Sequence, residues 1–144
     1  MSITYQVDHE KRRIVAIATG ALGKRELVAY LKDLGALPAC AAYDKIFDLS
    51  WVDSLLDLSI DTLKELAVFS AATDAPGQPA KLAIVAPQKN YFGLSRMYEC
   101  FRDCVPTSNR TSSAFQSRKD AERWLEIREE NERAALPGLA ASAP

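Results

Sequence analysis

Two stretches of this chain hold most of the side chains that could do chemistry. The first is Asp48-Leu49-Ser50-Trp51-Val52-Asp53-Ser54, which brings carboxylates, hydroxyls and an indole together. Asp48, Asp53 and Asp57 would suit Mg²⁺ only if they converged with a ligand's phosphates. Otherwise Asp53 and Asp57 serve turns and caps. The second is Asn90-Tyr91-Phe92-Gly93-Leu94-Ser95-Arg96. A helix starting there would offer free N–H groups to an anion, with Lys89 and Arg96 beside them. The simpler account makes Asn90 a cap, packs Tyr91 and Phe92, and lets Gly93 bring the helix close to a sheet. No glycine-rich phosphate loop accompanies either stretch.

His9 is the only histidine, and no Gly-x-Ser-x-Gly elbow supplies a nucleophile for it. A lone loop histidine is expected to be solvated. Cys100 and Cys104 share a helix face, but they lack the Cys-x-x-Cys spacing and a second ligand pair. Buried, weakly polar packing is expected for both, and exposure for Cys40. No catalytic residue, metal site or cofactor is expected, and the chain reads as non-enzymatic. Trp51 suits either a partner surface or a cover for a sheet edge.

The elements that must position these residues follow from periodicity. Ile3, Tyr5 and Val7 alternate with Thr4 and Gln6, Asp8 to Arg12 is polar, and Ile14 to Thr19 is apolar, so an antiparallel hairpin is expected. Gly20 and Gly23 bracket a turn. Leu27, Leu31 and Leu34 fall on one face of a helix that stops near Gly35. Tyr43 to Leu49 is a strand. Ser59 caps a helix whose inner stripe is Leu63, Leu66, Ala67 and Ser70. Leu82-Ala83-Ile84-Val85-Ala86 is the continuous apolar run of a strand covered on both faces. A third helix carries Leu94, Met97, Tyr98 and Phe101. A last strand surrounds Phe115, and Ser117 opens a final helix pinned by Ala121, Trp124 and Leu125. The order β-β-α-β-α-β-α-β-α predicts an α/β domain: a mixed, mostly parallel sheet of about five strands with an N-terminal antiparallel hairpin and about four helices. In open parallel sheets ligands sit outside the carboxyl ends of the strands, where both stretches above and Gly20 to Gly23 are expected to meet. Residues 1–133 are expected to form a single domain and 134–144 a disordered tail.

Composition narrows the partners. The chain has 144 residues and a net charge of −1, so no basic excess exists to neutralise phosphates, and nucleic acid is not expected. No segment is long enough to span a membrane. Met1-Ser2-Ile3-Thr4-Tyr5 does not open a signal peptide, and an odd number of cysteines suits a reducing compartment. A cytoplasmic location is therefore expected.

Four segments carry a family resemblance: Tyr43-Asp44-Lys45-Ile46-Phe47-Asp48-Leu49-Ser50, Leu82-Ala83-Ile84-Val85-Ala86-Pro87, Phe92-Gly93-Leu94-Ser95-Arg96-Met97-Tyr98 and Ala121-Glu122-Arg123-Trp124-Leu125. In this order they resemble the SpoIIAA-like family of small STAS-type domains, from about Ile14 to Leu125. The resemblance implies a parallel sheet with helices on it, similar also to CRAL-TRIO lipid-binding domains. STAS domains act through protein partners and are switched by phosphorylation of a serine that follows an aspartate at the start of the helix after the central strand. Asp53-Ser54 looks like that pair, making Ser54 the candidate phosphorylation site, although Leu55 and Leu56 stand where the STAS pattern has small residues. The expected function is a regulatory or protein-interaction module, with a protein partner or a homodimer using Asp48, Ser50, Trp51, Asp53, Asn90, Gly93 and Arg96. The alternative is a binder of a small apolar or lipid-like ligand, held between the sheet and the helices bearing Leu63 and Met97.

Overall fold

A computed structural model describes residues 2–127 of the chain. The expected tail over 134–144, and the polar continuation after Ile127, lie outside the described residues.

The hairpin forms as its alternation requires: β1 (Ile3–Asp8) pairs antiparallel with β2 (Arg13–Gly23). The chain then alternates through α1 (Lys24–Gly35), a 3-10 turn at Pro38–Cys40, β3 (Asp44–Leu56), α2 (Ile60–Ala71), β4 (Ala80–Val85), α3 (Lys89–Asp103) and β5 (Arg110–Phe115). A last helix, α4, runs over 118–127. Local signals account for several boundaries. Ser59 accepts a hydrogen bond from the Thr62 N–H and caps α2. Ser117 accepts from the Asp120 N–H and does the same for α4.

The strands lie in the order β1-β2-β3-β4-β5, and every pair after the first is parallel. That order never reverses. With right-handed crossovers stepping always the same way, α1, α2 and α3 must land on one face of the sheet. Only α4 covers the other. Ile46, Ala83 and Val85 pack there against Ala121 and Leu125. Leu82–Val85 is thus a central strand covered on both sides, as its continuous apolar run requires.

Three boundaries differ from the sequence reading. Gly20 to Gly23 is not a turn, and Ser50 to Ser54 is not a loop. Both continue as strand, and β2 and β3 pair as far as Gly23 and Leu56, beyond the reach of β4. Register shifts between Ile17 and Thr19 and between Gly20 and Ala21 bend this two-stranded ribbon. Gly20, at φ +70°, supplies a backbone conformation that other residues rarely adopt. The ribbon brings Leu22 and Leu55 over the helix-covered face. Finally, α3 begins at Lys89, with Gln88 rather than Asn90 as its N-cap.

Candidate functional site

A strand order without a reversal has no switch-point crevice, so the expected meeting point at the strand ends does not form as one site. Asp48 and Ser50 do come together: the Ser50 N–H donates to Asp48 Oδ1 at 2.9 Å. The buried Asp48 carboxylate also faces Arg118 at 3.5 Å on the α4 side. Gln88 Nε2 reaches the Ser50 carbonyl at 3.4 Å. Asp48 is thus held by the protein's own groups. Trp51, Asp53 and Ser54 lie exposed on the ribbon, and Trp51 at 58% exposure is no core residue. Ser54 sits within β3, five positions before the α2 cap, so Asp53-Ser54 does not open a helix. Asn90, Gly93 and Arg96 lie exposed on α3, and a Cβ at Gly93 would meet nothing within 4 Å, so this glycine mediates no close approach.

The cysteine expectations are reversed. Cys40 is buried, and Cys100 and Cys104 are exposed. The stripe of α3 that turns inward is Tyr91, Ser95 and Arg102, which leaves both thiols on the outer side. His9 lies in the hairpin turn with Nδ1 2.8 Å from the Tyr43 hydroxyl, at the opposite end of the sheet from the ribbon. Among the described residues no group of three or more His, Cys, Asp or Glu could hold a metal ion.

What the fold builds instead is a cavity of about 120 Å³ between the sheet and α1, α2 and α3. Leu22 and Leu55 of the ribbon, Leu27 and Leu31 of α1, and Leu63 and Leu66 of α2 form its apolar wall. Leu82 remains half-buried in the middle of a central strand because its side chain faces this space. The lining is polar toward Lys45, Tyr30, Ser70, Tyr98, Arg102 and Arg110. Helical spacing explains part of this, since Tyr91, Ser95, Tyr98 and Arg102 recur on one face of α3.

Most of these polar groups are already used. Arg102 makes a two-pronged contact with Asp74, with its Nη1 and Nη2 at 3.1 and 2.9 Å. Arg110 donates to the carbonyls of Tyr43, Ala41 and Lys81, and its Nε lies 3.6 Å from Asp74. Ser70 and Tyr98 share a hydrogen bond of 2.6 Å. Four groups are left over. The buried Tyr30 hydroxyl and the Nε atoms of Arg102 and Arg110 have no hydrogen-bond partner among the described residues, and the Lys45 amine makes no hydrogen bond to a described residue. Burial pushes the Tyr30 hydroxyl up. Burial first, then the charge of Arg110, pull Lys45 down to about 7, while Asp74 opposes them. Lys45 carried a signal in the sequence, a charge at an inward position of an apolar strand. Nothing in the sequence marked Tyr30, Arg102 or Arg110 as neighbours of that lysine.

No family model matches the sequence, and no curated protein matches it. Among solved structures, the chain is similar to an uncharacterised protein of the DUF3478 family with a SpoIIAA-like fold, from Shewanella loihica PV-4. The match has a TM-score of 0.59 at 15% identity and covers 86% of this chain and 94% of that one. The fold is SpoIIAA-like. It agrees with the architecture expected from the four sequence segments: a mixed five-stranded sheet with one antiparallel pair and four helices. No helix among the described residues of this SpoIIAA-like domain is long and apolar enough to cross a membrane.

Proposed function

We propose that this SpoIIAA-like domain binds a small, largely apolar molecule with one polar end, in the cavity under α1, α2 and α3. It acts as a carrier or sensor rather than an enzyme. One observation carries this reading: a leucine-lined space whose lining also holds the Tyr30 hydroxyl, buried and without a hydrogen-bond partner among the described residues, and Lys45, whose amine makes no hydrogen bond to them. Buried polar groups are nearly always satisfied, so a ligand's polar end completes what the fold leaves open. The size limits the ligand. An enclosed apolar cavity of about 150 Å³ admits benzene; this one holds about 120 Å³ and is partly open to solvent, so the ligand is no bulkier inside it than a single ring or a short chain. The test is leucine-methyl NMR with benzyl alcohol and hexanoate as probes. Shifts confined to the leucines that line the cavity, Leu22, Leu27, Leu31, Leu55, Leu63 and Leu82 among them, are expected. Absence of shifts, or shifts at the exposed Leu56 alone, would refute it.

A second reading, a protein-interaction or regulatory module, rests on a different observation. Trp51, Leu56 and Ile60 stand exposed along the ribbon and the start of α2. Exposed large apolar groups of this kind mark partner surfaces. Ser54 is exposed on the same ribbon, and a phosphate there would add about −1.5 to −2 charges. Sedimentation velocity tests the homodimer form of this reading. Self-association that Trp51→Ser abolishes and Ser54→Asp weakens supports it, and a monomer at every concentration overturns it.

A further inference from the structure

Lys45 is 7% exposed and sits on the cavity face of β3, between Ile14 of β2 and Leu82 of β4. The ionisable groups around this part of the cavity are Tyr30 from α1, Tyr98 and Arg102 from α3, Arg110 from β5, and Asp74 from the loop after α2. Two guanidiniums therefore share the Asp74 carboxylate, and Arg102 already occupies it with two hydrogen bonds. Asp44, the other carboxylate that acts on Arg110, accepts from the Lys81 N–H. Lys45 makes no ion pair with a described residue, and the pull of Asp74 on its proton is outweighed by burial and Arg110. A lysine desolvated in an apolar pocket beside other cations keeps a neutral, nucleophilic amine near neutral pH.

We propose that Lys45 captures a small apolar aldehyde in this cavity as a reversible imine. The proposal rests on the cavity being the ligand site, and it adds the ligand's reactive group. The neutral Nζ donates its electron pair to the carbonyl carbon, and a C–N bond forms as the C=O π pair moves to oxygen. Oxygen gains a proton and nitrogen loses one, giving a carbinolamine. Its hydroxyl leaves with a further proton as water, the nitrogen pair closes the C=N bond, and the nitrogen's remaining proton returns to solvent. Amine and aldehyde become imine and water, with no oxidant or reductant consumed. The Tyr30 hydroxyl is one unpartnered donor of the same lining that could meet the aldehyde oxygen.

The test treats the full chain with benzaldehyde and sodium cyanoborohydride, which fixes an imine as a benzylamine, and maps the adducts by peptide mass spectrometry. At pH 7 the adduct should form on Lys45 on the order of 100-fold faster than on the exposed Lys64, Lys89 and Lys119, none of which lines the cavity. The ratio should shrink as the pH rises. Benzyl alcohol, which has the same shape but no carbonyl, separates the two ideas. If it shifts the cavity leucines while benzaldehyde labels all lysines alike or misses Lys45, the imine is refuted and the binding site stands. If neither probe enters, both fall. Lys45→Met should lose the adduct and keep the benzyl alcohol shifts. The map of the unaltered protein decides the matter even if that variant does not fold.

Discussion

Lys45 and Lys81 lie on neighbouring strands of one sheet, are equally buried at 7% exposure, and face opposite sides. The Lys81 amine lies 4.1 Å over the Trp124 ring and donates to the Trp124 carbonyl at 3.1 Å. The Lys45 amine meets leucines and a cavity. The faces differ in the same way as their lysines. On the α4 side Ala83 and Ala121 let helix and sheet close on each other, and even the buried Asp48 finds Ser50 and Arg118. On the other side three helices must span the sheet, and the leucines between them leave space. Burial alone does not make a group reactive. A buried lysine becomes chemically available when nothing around it is shaped to receive its proton.

The largest effect is expected at Asp74, the carboxylate that both cavity arginines contact. Asp74→Asn should cost about 3–5 kcal/mol in urea unfolding, because it leaves two buried guanidiniums without their counter-charge. It should also depress Lys45 further, since Asp74 is what raises it. Next, Leu125→Ala on the dry face should cost about 3 kcal/mol, within the range for a well-packed leucine. Leu82→Ala should cost only about 1 kcal/mol, because its side chain already borders empty space. Equal losses at the two leucines would show that the cavity collapses in solution.

Acid–base behaviour gives a gentler slope. Lys45 binds its proton at about 7 when folded and near 10.4 when unfolded, so between those values the unfolded chain holds one more proton. Stability should therefore rise with pH across that window, by about 1.4 kcal/mol per unit. Above it the raised tyrosines Tyr30 and Tyr98 reverse the trend, because the unfolded chain then loses protons the folded one keeps. Lys45→Met should remove the rise, and its advantage over the unaltered protein should be largest at acid pH and vanish near pH 10. A flat profile in the unaltered protein would mean that Lys45 finds a partner in solution. The smallest effect is expected at the α2 cap, remote from both lysines, where Ser59→Ala should cost about 1 kcal/mol. A larger loss there would show that α2 is held chiefly by its cap, not by the leucines it lends to the cavity.

Strand and helix order, the hairpin, the caps at Ser59 and Ser117 and the double cover of Leu82–Val85 were legible because each depends on residues a few positions apart. The ribbon was not. Gly20, Gly23, Ser50, Asp53 and Ser54 have the composition of turns, and only pairing between two distant segments holds them extended. Cys100 and Cys104 were misplaced because Arg102, charged and yet buried, turns the helix the other way. The helix-start reading of Asp53-Ser54 failed for the same non-local reason.

Side-chain period and capping are local, so the segments that become strands and helices can be read from the chain alone. That the helices share one face, that a cavity remains beneath them, and that Lys45 lines it together with Tyr30, Arg102 and Arg110 follows from the packing of the layers. The reason is geometric: those groups come from four separate elements, and the distances between them are set by how layers pack, which no short window of sequence encodes.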